Sequence, residues 1–347
     1  MSLHQNKRVL VDVHPWVKDI HEKGEIRYEG IYRHAETLAR KFTPALYAED
    51  KMVEATKKLA DHLRKGIVHI RDGGELESTC DIWLSIAPDS FCPLLKNESE
   101  VSYLTVAHDD FALKGYYGEA NKEAWENGVL KSDHFLCVSA IAKEAIKAFV
   151  STRRAGTQDI QYINYGASHR FDTMPVKRLD MTEHRSIGVG SLYPHKNLLG
   201  EVQIARGLDT DHYHVGAVKG NYEALHQAVE KGMRYLECLP DHLLDLAVGR
   251  AEHFICASRE EGFSMPAMEA VLLGVPHIHL SDIPIHREVY DVGDESINWY
   301  DISSAKAVPM QDDLLVVSDR YREAMFQIHG VKNVSKEMEM CLNGLSK

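Results

Sequence analysis

SREEGFSMPAMEAVLLGVPHIHLSDIPIHREV, residues 258–289, is the most informative stretch of the chain. Gly262 opens a tight turn after Glu261, Ser264 is a favoured N-cap residue, and Pro266 suits a first helical turn. A helix is therefore predicted to begin near Met265. The first turn of such a helix leaves the N–H groups of Phe263, Ser264 and Met265 unpaired, and with the helix dipole they form a ready site for a phosphate. Glu261 stands just before that site and Glu269 about one turn inside the helix. Such a pair could grip a neutral sugar with the first carboxylate and a ribose diol with the second, with a diphosphate between them. Two arbitrary glutamates would be solvated helix residues; the surrounding glycines, the proline and the following strand set this pair apart.

Outward from this stretch the chain repeats a short apolar strand, a loop and an amphipathic helix. Strands are expected at residues 8–14, 67–71, 81–87, 101–108, 134–138 and 160–165, then at 186–190, 212–218, 234–239, 253–257 and 275–280. Each is a short run rich in Val, Ile and aromatics, the signature of a buried parallel strand. Helical patterns lie at 31–42, 50–64, 140–152, 198–208, 222–231 and 241–249. This alternation reads as βαβ units, an α/β chain with parallel sheets. The rhythm breaks once, at residues 166–183, GASHRFDTMPVKRLDMTE, as an interdomain linker should. Two doubly wound domains, 1–168 and 184–310, are expected, with a helical segment 311–347 long enough to cross back onto the first.

With 347 residues the chain exceeds what one core usually needs, in keeping with two domains. Apolar residues at 44% and charged residues at 27% exclude a disordered or fibrous chain. Forty Lys and Arg against 52 Asp and Glu give a net charge of −12, a poor match to nucleic acid or anionic lipid, so no nucleic-acid partner is expected. No stretch is apolar enough to span a membrane. Arg153-Arg154, after the helix carrying Lys143 and Lys147, allows peripheral membrane contact at most. The polar start, Met1 to Arg8, implies no signal peptide, and six scattered Cys without a CxxC pair read as free thiols in the cytoplasm.

The 258–289 stretch resembles the donor-binding region of family 4 retaining glycosyltransferases, which have the GT-B fold. Their pattern runs E-G-F-G-x-P-x-x-E-A, then G-x-P, then S-D-x-P-x-x-x-E-V. It appears here as Glu261 to Ala270, Gly274-Val275-Pro276, and Ser281-Asp282-Ile283-Pro284 to Glu288-Val289. The resemblance implies two Rossmann-like domains facing a central cleft. It gives Glu261 the sugar hydroxyls, Glu269 the ribose, and the amides of Phe263, Ser264 and Met265 the phosphate. Gly188-Val189-Gly190-Ser191-Leu192-Tyr193-Pro194-His195-Lys196 is similar to the loop after the first strand of the second domain, where Lys196 would neutralise the diphosphate. Ser191 and His195 stand where the family often has Arg. Glu29-Gly30 resembles the glycine loop that faces the phosphates, with Gly30 retained. His108, in Val106-Ala107-His108-Asp109-Asp110, looks like the family's His that reaches the transferred sugar. Ser132 to Ser139 and Asn164-Tyr165-Gly166 match the family's last first-domain segments.

The function so implied is transfer of a sugar from a UDP- or GDP-sugar to a hydroxyl of a glycan, lipid-linked or small-molecule acceptor. Lys196, Glu261 and His108 are the candidate catalytic groups. No cofactor and no metal are expected, since GT-B enzymes of this type hold the leaving group with Lys, Arg and helix amides. Twenty His invite a metal reading, and His212-Tyr213-His214 and His277-Ile278-His279 would put both imidazoles of each pair on one face. Neither HExxH nor CxxC occurs, and spacing names no third ligand. A nucleotide-sugar hydrolase or phosphorylase-like enzyme on the same fold, and a catalytically silent partner, remain open alternatives.

Overall fold

The computed structural model describes residues 7–24, 26, 30–47, 52–88, 92–94, 100–153, 160–162, 171–175, 183–303, 308–310 and 313–345. Glu29, Arg154, the Asn164-Tyr165-Gly166 match and most of the expected linker lie outside them. The chain divides into two compact units, Met1–His169 with Val331–Lys347, and Arg170–Gly330.

The first unit runs β1 (Val9–Asp12), α1 (His14–Lys23), α2 (Gly30–Lys41), β2 (Thr43–Tyr47), α3 (Val53–Leu63), β3 (Val68–Ile70), α4 (Gly73–Thr79) and β4 (Ile82–Ser85). It continues with β5 (Ser102–Ala107), α5 (Glu119–Lys131), β6 (His134–Cys137), α6 (Ala140–Arg153) and β7 (Ile160–Tyr162). All neighbouring strands are parallel, in the order β3-β2-β1-β4-β5-β6-β7. β1, β4, β5 and β6 are buried at every position, as strands covered by helices on both faces must be.

The second unit repeats the plan. It comprises β8 (Glu183–Val189), α7 (Leu198–Gly207), β9 (Asp211–Val215), α8 (Tyr222–Glu230), β10 (Arg234–Leu236), α9 (Asp241–Arg250) and β11 (Ala251–Cys256). After these come α10 (Met265–Leu273), β12 (His277–Ser281), α11 (Pro284–Tyr290), β13 (Ile297–Asp301), β14 (Val308–Pro309) and α12 (Asp319–His329). The strand order is β10-β9-β8-β11-β12-β13-β14, parallel except for the antiparallel edge pair β13–β14. The last helix, α13 (Val331–Gly344), belongs to the first unit.

Three strands escape the sequence pattern: the two-residue edge strand β14, too short to show a period, and two that carry an unfavourable residue. Pro44 within TPALY argues against a strand, yet it pairs with Val11 in β2. Asn298 interrupts INWYD, but it is fully buried in β13 with every polar atom used. Its Nδ2 donates to the carbonyls of Ile278 (3.2 Å) and Leu315 (3.0 Å), and its Oδ1 accepts from Leu315 N (2.8 Å). The C-terminal segment, read as one helical stretch, is two helices. The backbone turns extended at Gly330, ending α12, which packs on α10 and donates Arg322 Nε to the Leu272 carbonyl at 2.7 Å. No helix among the described residues is long and apolar enough to cross a membrane.

One close approach fixes the loop ends of the second sheet. Gly190 follows β8 at φ 151°, donates to the Val215 carbonyl at 2.9 Å, and lies against Gly216, where an added Cβ would stand 1.8 Å from the Gly190 oxygen. Gly216→Ala is expected to cost about 1–3 kcal/mol, the range for forcing extra atoms into packed structure, in denaturant unfolding. Unchanged stability would mean the loops after β8 and β9 do not approach this closely.

Candidate functional site

Open α/β sheets bind ligands outside the carboxyl ends of their strands, where neighbouring strands lead the chain off in opposite directions. In the second unit that point lies between β8 and β11. β8 leads to Gly190, Ser191 and a 3-10 turn, Pro194–Lys196, and β11 leads to Ser258 and Glu261. The two loops are tied together. Arg259 N donates to the His195 carbonyl at 2.7 Å, Asn197 Nδ2 to the Ala257 carbonyl at 3.0 Å, and Arg259 Nη2 to Asn197 Oδ1 at 3.2 Å. Asn197 adopts the left-handed conformation (φ 53°) between the turn and α7, a role its side chain tolerates better than most. His195 is buried and stacks on Tyr193, with ring centroids 5.6 Å apart.

This tie places Lys196 Nζ 2.7 Å from both oxygens of Glu261. The Glu261 side chain is only 6% exposed and that of Lys196 24%, so the pair is nearly desolvated. Ser258 Oγ donates to Glu261 Oε1 at 2.6 Å, and Cys256 Sγ lies 3.7 Å from the same oxygen. Burial alone would raise the Glu261 pKa. Lys196, His286 and the hydrogen bonds from Lys196 and Ser258 outweigh it and hold the carboxyl below its ordinary value. His286 is itself locked, with Nδ1 2.9 Å from the Ser281 carbonyl, and burial pushes its pKa down. Ser258, Cys256 and His286 were not singled out from sequence. All three lie in or beside the 258–289 stretch, but spacing does not say which side chains turn toward Glu261.

α10 begins at Met265, as its sequence signals imply, but the cap is not the expected one. Ser264 lies in the left-handed region (φ 69°, ψ 61°) and its side chain makes no cap hydrogen bond. A capping hydroxyl needs an extended backbone to reach the following amides; here Oγ turns instead to Cys256 Sγ, 3.5 Å away. The Ser264 carbonyl accepts from Tyr290 Oη at 2.7 Å, which holds this conformation. The first turn of α10 is thus not closed by the serine side chain, as a helix end that meets an anion requires. Phe263 is buried edge-on against His329 of α12, and Glu269 is buried within α10 at 6% exposure.

Beneath Gly190, the pair His212 and His214 on β9 converges on buried Glu201 of α7 rather than on a metal-ligand set. His214 Nδ1 is 2.8 Å and His212 Nε2 3.5 Å from Glu201 Oε2, and His214 Nε2 is 2.8 Å from the Gly190 carbonyl. Both partners of His214 are acceptors, so the ring donates twice as an imidazolium. Burial opposes that charge, but Glu201 outweighs it and the His214 pKa is raised. The other pair, His277 and His279 on β12, meets His253 of β11. His277 stacks on His253 at 4.9 Å, and His279 Nε2 is 2.9 Å from His253 Nδ1. Burial, with His277, pushes His253 down to about 4.

In the first unit, His108 follows β5 at its carboxyl end. Its Nε2 donates to the Ile86 carbonyl at 2.9 Å, and loss of solvation pushes its pKa down to about 4, so the ring is neutral at pH 7. Gly30 is the first residue of α2. Sequence reading missed Asp12, which ends β1 beside β4 at this unit's own switch point. It is fully buried, Oδ1 accepts from His14 N at 2.9 Å, and burial raises its pKa to about 7. No signal marks it, because one acid at a strand end looks like any loop residue.

Cys256, Glu261 and His286 bring ligand atoms within 4.8 Å of one another. Lys196 already holds both oxygens of that carboxylate, so a divalent cation there would have to displace an ammonium. Removing one partner of a nearly buried pair costs about 3–5 kcal/mol, which sets the expectation for Lys196→Met at pH 8. In the variant, burial is opposed only by His286 and the Ser258 hydrogen bond, and the folded pKa of Glu261 is expected to rise above its unfolded value. The penalty is then full above that folded value and fades as pH falls through it, so the deficit against wild type should narrow from pH 8 to pH 5. Denaturant unfolding at both pH values checks this; a deficit independent of pH would contradict it.

No family model matches the chain, and no curated protein matches it in sequence. Solved structures do match. Anabaena HepE, in complex with UDP and glucose, shares 11% identity over 98% of this chain and 100% of its own, at a TM-score of 0.67. AviGT4, a glycosyltransferase involved in avilamycin A biosynthesis, shares 13% over 98% and 99%, at 0.60. Sucrose-phosphate synthase of Thermosynechococcus elongatus shares 12% over 96% and 97%, at 0.61. At such identities the likeness concerns the fold, and the fold of this chain is GT-B.

Proposed function

We propose that this chain is a glycosyltransferase that moves a sugar from a UDP- or GDP-sugar to a hydroxyl of a glycan, lipid-linked or small-molecule acceptor. The observation that carries the reading is the Lys196–Glu261 pair at the β8–β11 switch point. It sets a cation and a sugar-binding carboxylate side by side where a ligand is expected. HepE, on the same fold, binds UDP and UDP-glucose, which supports a nucleoside diphosphate as the ligand.

In this reading Lys196 turns from Glu261 to the diphosphate, joined by the amides of Phe263, Ser264 and Met265. Gly190, Ser191 and His195 line the same side of the donor, and Gly30 serves the phosphates from α2. Glu261, released from Lys196, accepts hydrogen bonds from sugar hydroxyls, and Glu269 holds the ribose diol. Neutral His108 reaches the transferred sugar. The bond from the anomeric carbon to the diphosphate breaks, the acceptor oxygen bonds to that carbon on the same face, and its proton passes to the departing phosphate. The configuration is retained. Preorganised positive charge at the leaving group supplies most of the rate, without a metal ion. The six free thiols support a cytoplasmic setting.

Thermal melting with UDP-, GDP- and ADP-sugars tests the reading without an acceptor, since a ligand that binds only the folded state raises the melting temperature. A rise with one nucleotide class, unchanged by EDTA, is expected; no rise with any donor favours a catalytically silent protein. Glu269→Ala should weaken free nucleotide binding by about 1.5–3 kcal/mol, as for a lost charged hydrogen bond. Glu261→Ala should spare the free nucleotide, because it leaves Lys196 available, and abolish most donor turnover. Equal losses of free nucleotide and of full donor in Glu261→Ala would show that the two carboxylate roles are wrongly assigned.

A further inference from the structure

The amino-terminal ends of β8, β11 and β12 gather a second group of polar side chains that donor binding does not use. Between the pairs Ala251–Glu183 and His253–Ser186 the ladder shifts, so two β8 residues, His184 and Arg185, oppose Glu252 alone. Such bulges re-aim side chains. Here His184 Nδ1 comes to 2.8 Å from Glu252 Oε2, while Glu252 Oε1 lies 4.0 Å from His253 Nε2. Ligand atoms of all three residues fall within 4.8 Å of one another. Atoms bound at about 2.1 Å around a tetrahedral ion lie about 3.4 Å apart, between the two separations observed.

His253 is braced from behind. It is nearly buried, His277 stacks on its ring, and His279 Nε2 lies 2.9 Å from its Nδ1. Neutral His253 can turn its Nδ1–H toward His279, and in that tautomer its Nε2 lone pair faces the Glu252 carboxylate. Two acceptors then oppose each other across 4.0 Å, an arrangement that a cation between them stabilises. A ligating imidazole fixed through its other nitrogen is the usual support of a metal site. His277 is held in turn by the Leu315 carbonyl, 2.8 Å from its Nδ1.

We propose that His184, Glu252 and His253 bind a divalent transition-metal ion of the zinc type. Two imidazoles and a carboxylate suit zinc and its neighbours, not magnesium or calcium. His253 and Cys256 share β11, so the ion would lie about 10 Å along the strand from the Glu261 cluster. It would staple β8 to β11, the strands whose following loops carry Lys196 and Glu261, and take no part in transfer.

Calorimetric titration of the full chain with zinc chloride tests this, using wild type, His184→Ala and Glu252→Gln. The side chains of His184 and Glu252 are 65% and 34% exposed, so both variants should fold, which thermal melting without zinc verifies. One equivalent should bind to wild type and raise its melting temperature, and each variant should bind more than about tenfold more weakly. Absence of saturable zinc binding to wild type, or wild-type affinity in either variant, would overturn the proposal.

Discussion

The proposed donor site of this chain depends on the tie between the loops after β8 and β11. A backbone hydrogen bond from Arg259 to His195 and the side-chain bridge of Asn197 to Ala257 hold two strand ends in register. Without them, Lys196 and Glu261 would be two solvated charges on separate loops. With them the charges meet in a nearly dry setting, where an ion pair is costly to break and each partner is costly to leave alone. That balance suits a site that exchanges one anion for another. A diphosphate can take the place of the carboxylate at Lys196 only if it neutralises the cation as well, and the carboxylate then needs new donors, which sugar hydroxyls supply.

The surroundings of the pair hold it in place. Cys256 of β11, Ser258 of the loop after it and His286 of α11 approach Glu261, and Tyr290 keeps Ser264 in a left-handed conformation that the family resemblance assigns to glycine. Below Gly190, the buried Glu201–His214 ion pair grips the carbonyl of the loop that leads to Lys196. The backbone that would present Lys196 and Glu261 to a ligand is thus held in place, as a preorganised electrostatic site requires.

Much of the fold was legible because buried parallel strands are short, apolar and evenly spaced, and because Pro266 and Gly274 punctuate a helix. Two of the strands that were not legible carry a residue whose cost is met only in three dimensions: Pro44 inside β2, and Asn298, whose amide spans β12 and the chain at Leu315. The site was half legible. Glu261, Glu269 and Lys196 stand out because motif spacing reports the order of elements. The ion pair between two of them, the sideways turn of the Ser264 hydroxyl, the convergence of His212 and His214 on Glu201, and buried Asp12 were not, because they depend on side-chain direction across strands distant in sequence.

The most direct test of the central claim is a crystal structure of the protein with a bound nucleoside diphosphate, UDP and GDP each being tried. The account expects the diphosphate at the carboxyl ends of β8 and β11, with Lys196 Nζ turned from Glu261 to a phosphate oxygen and the start of α10 facing it. A nucleotide bound elsewhere on the chain, with the Lys196–Glu261 pair intact, would contradict it.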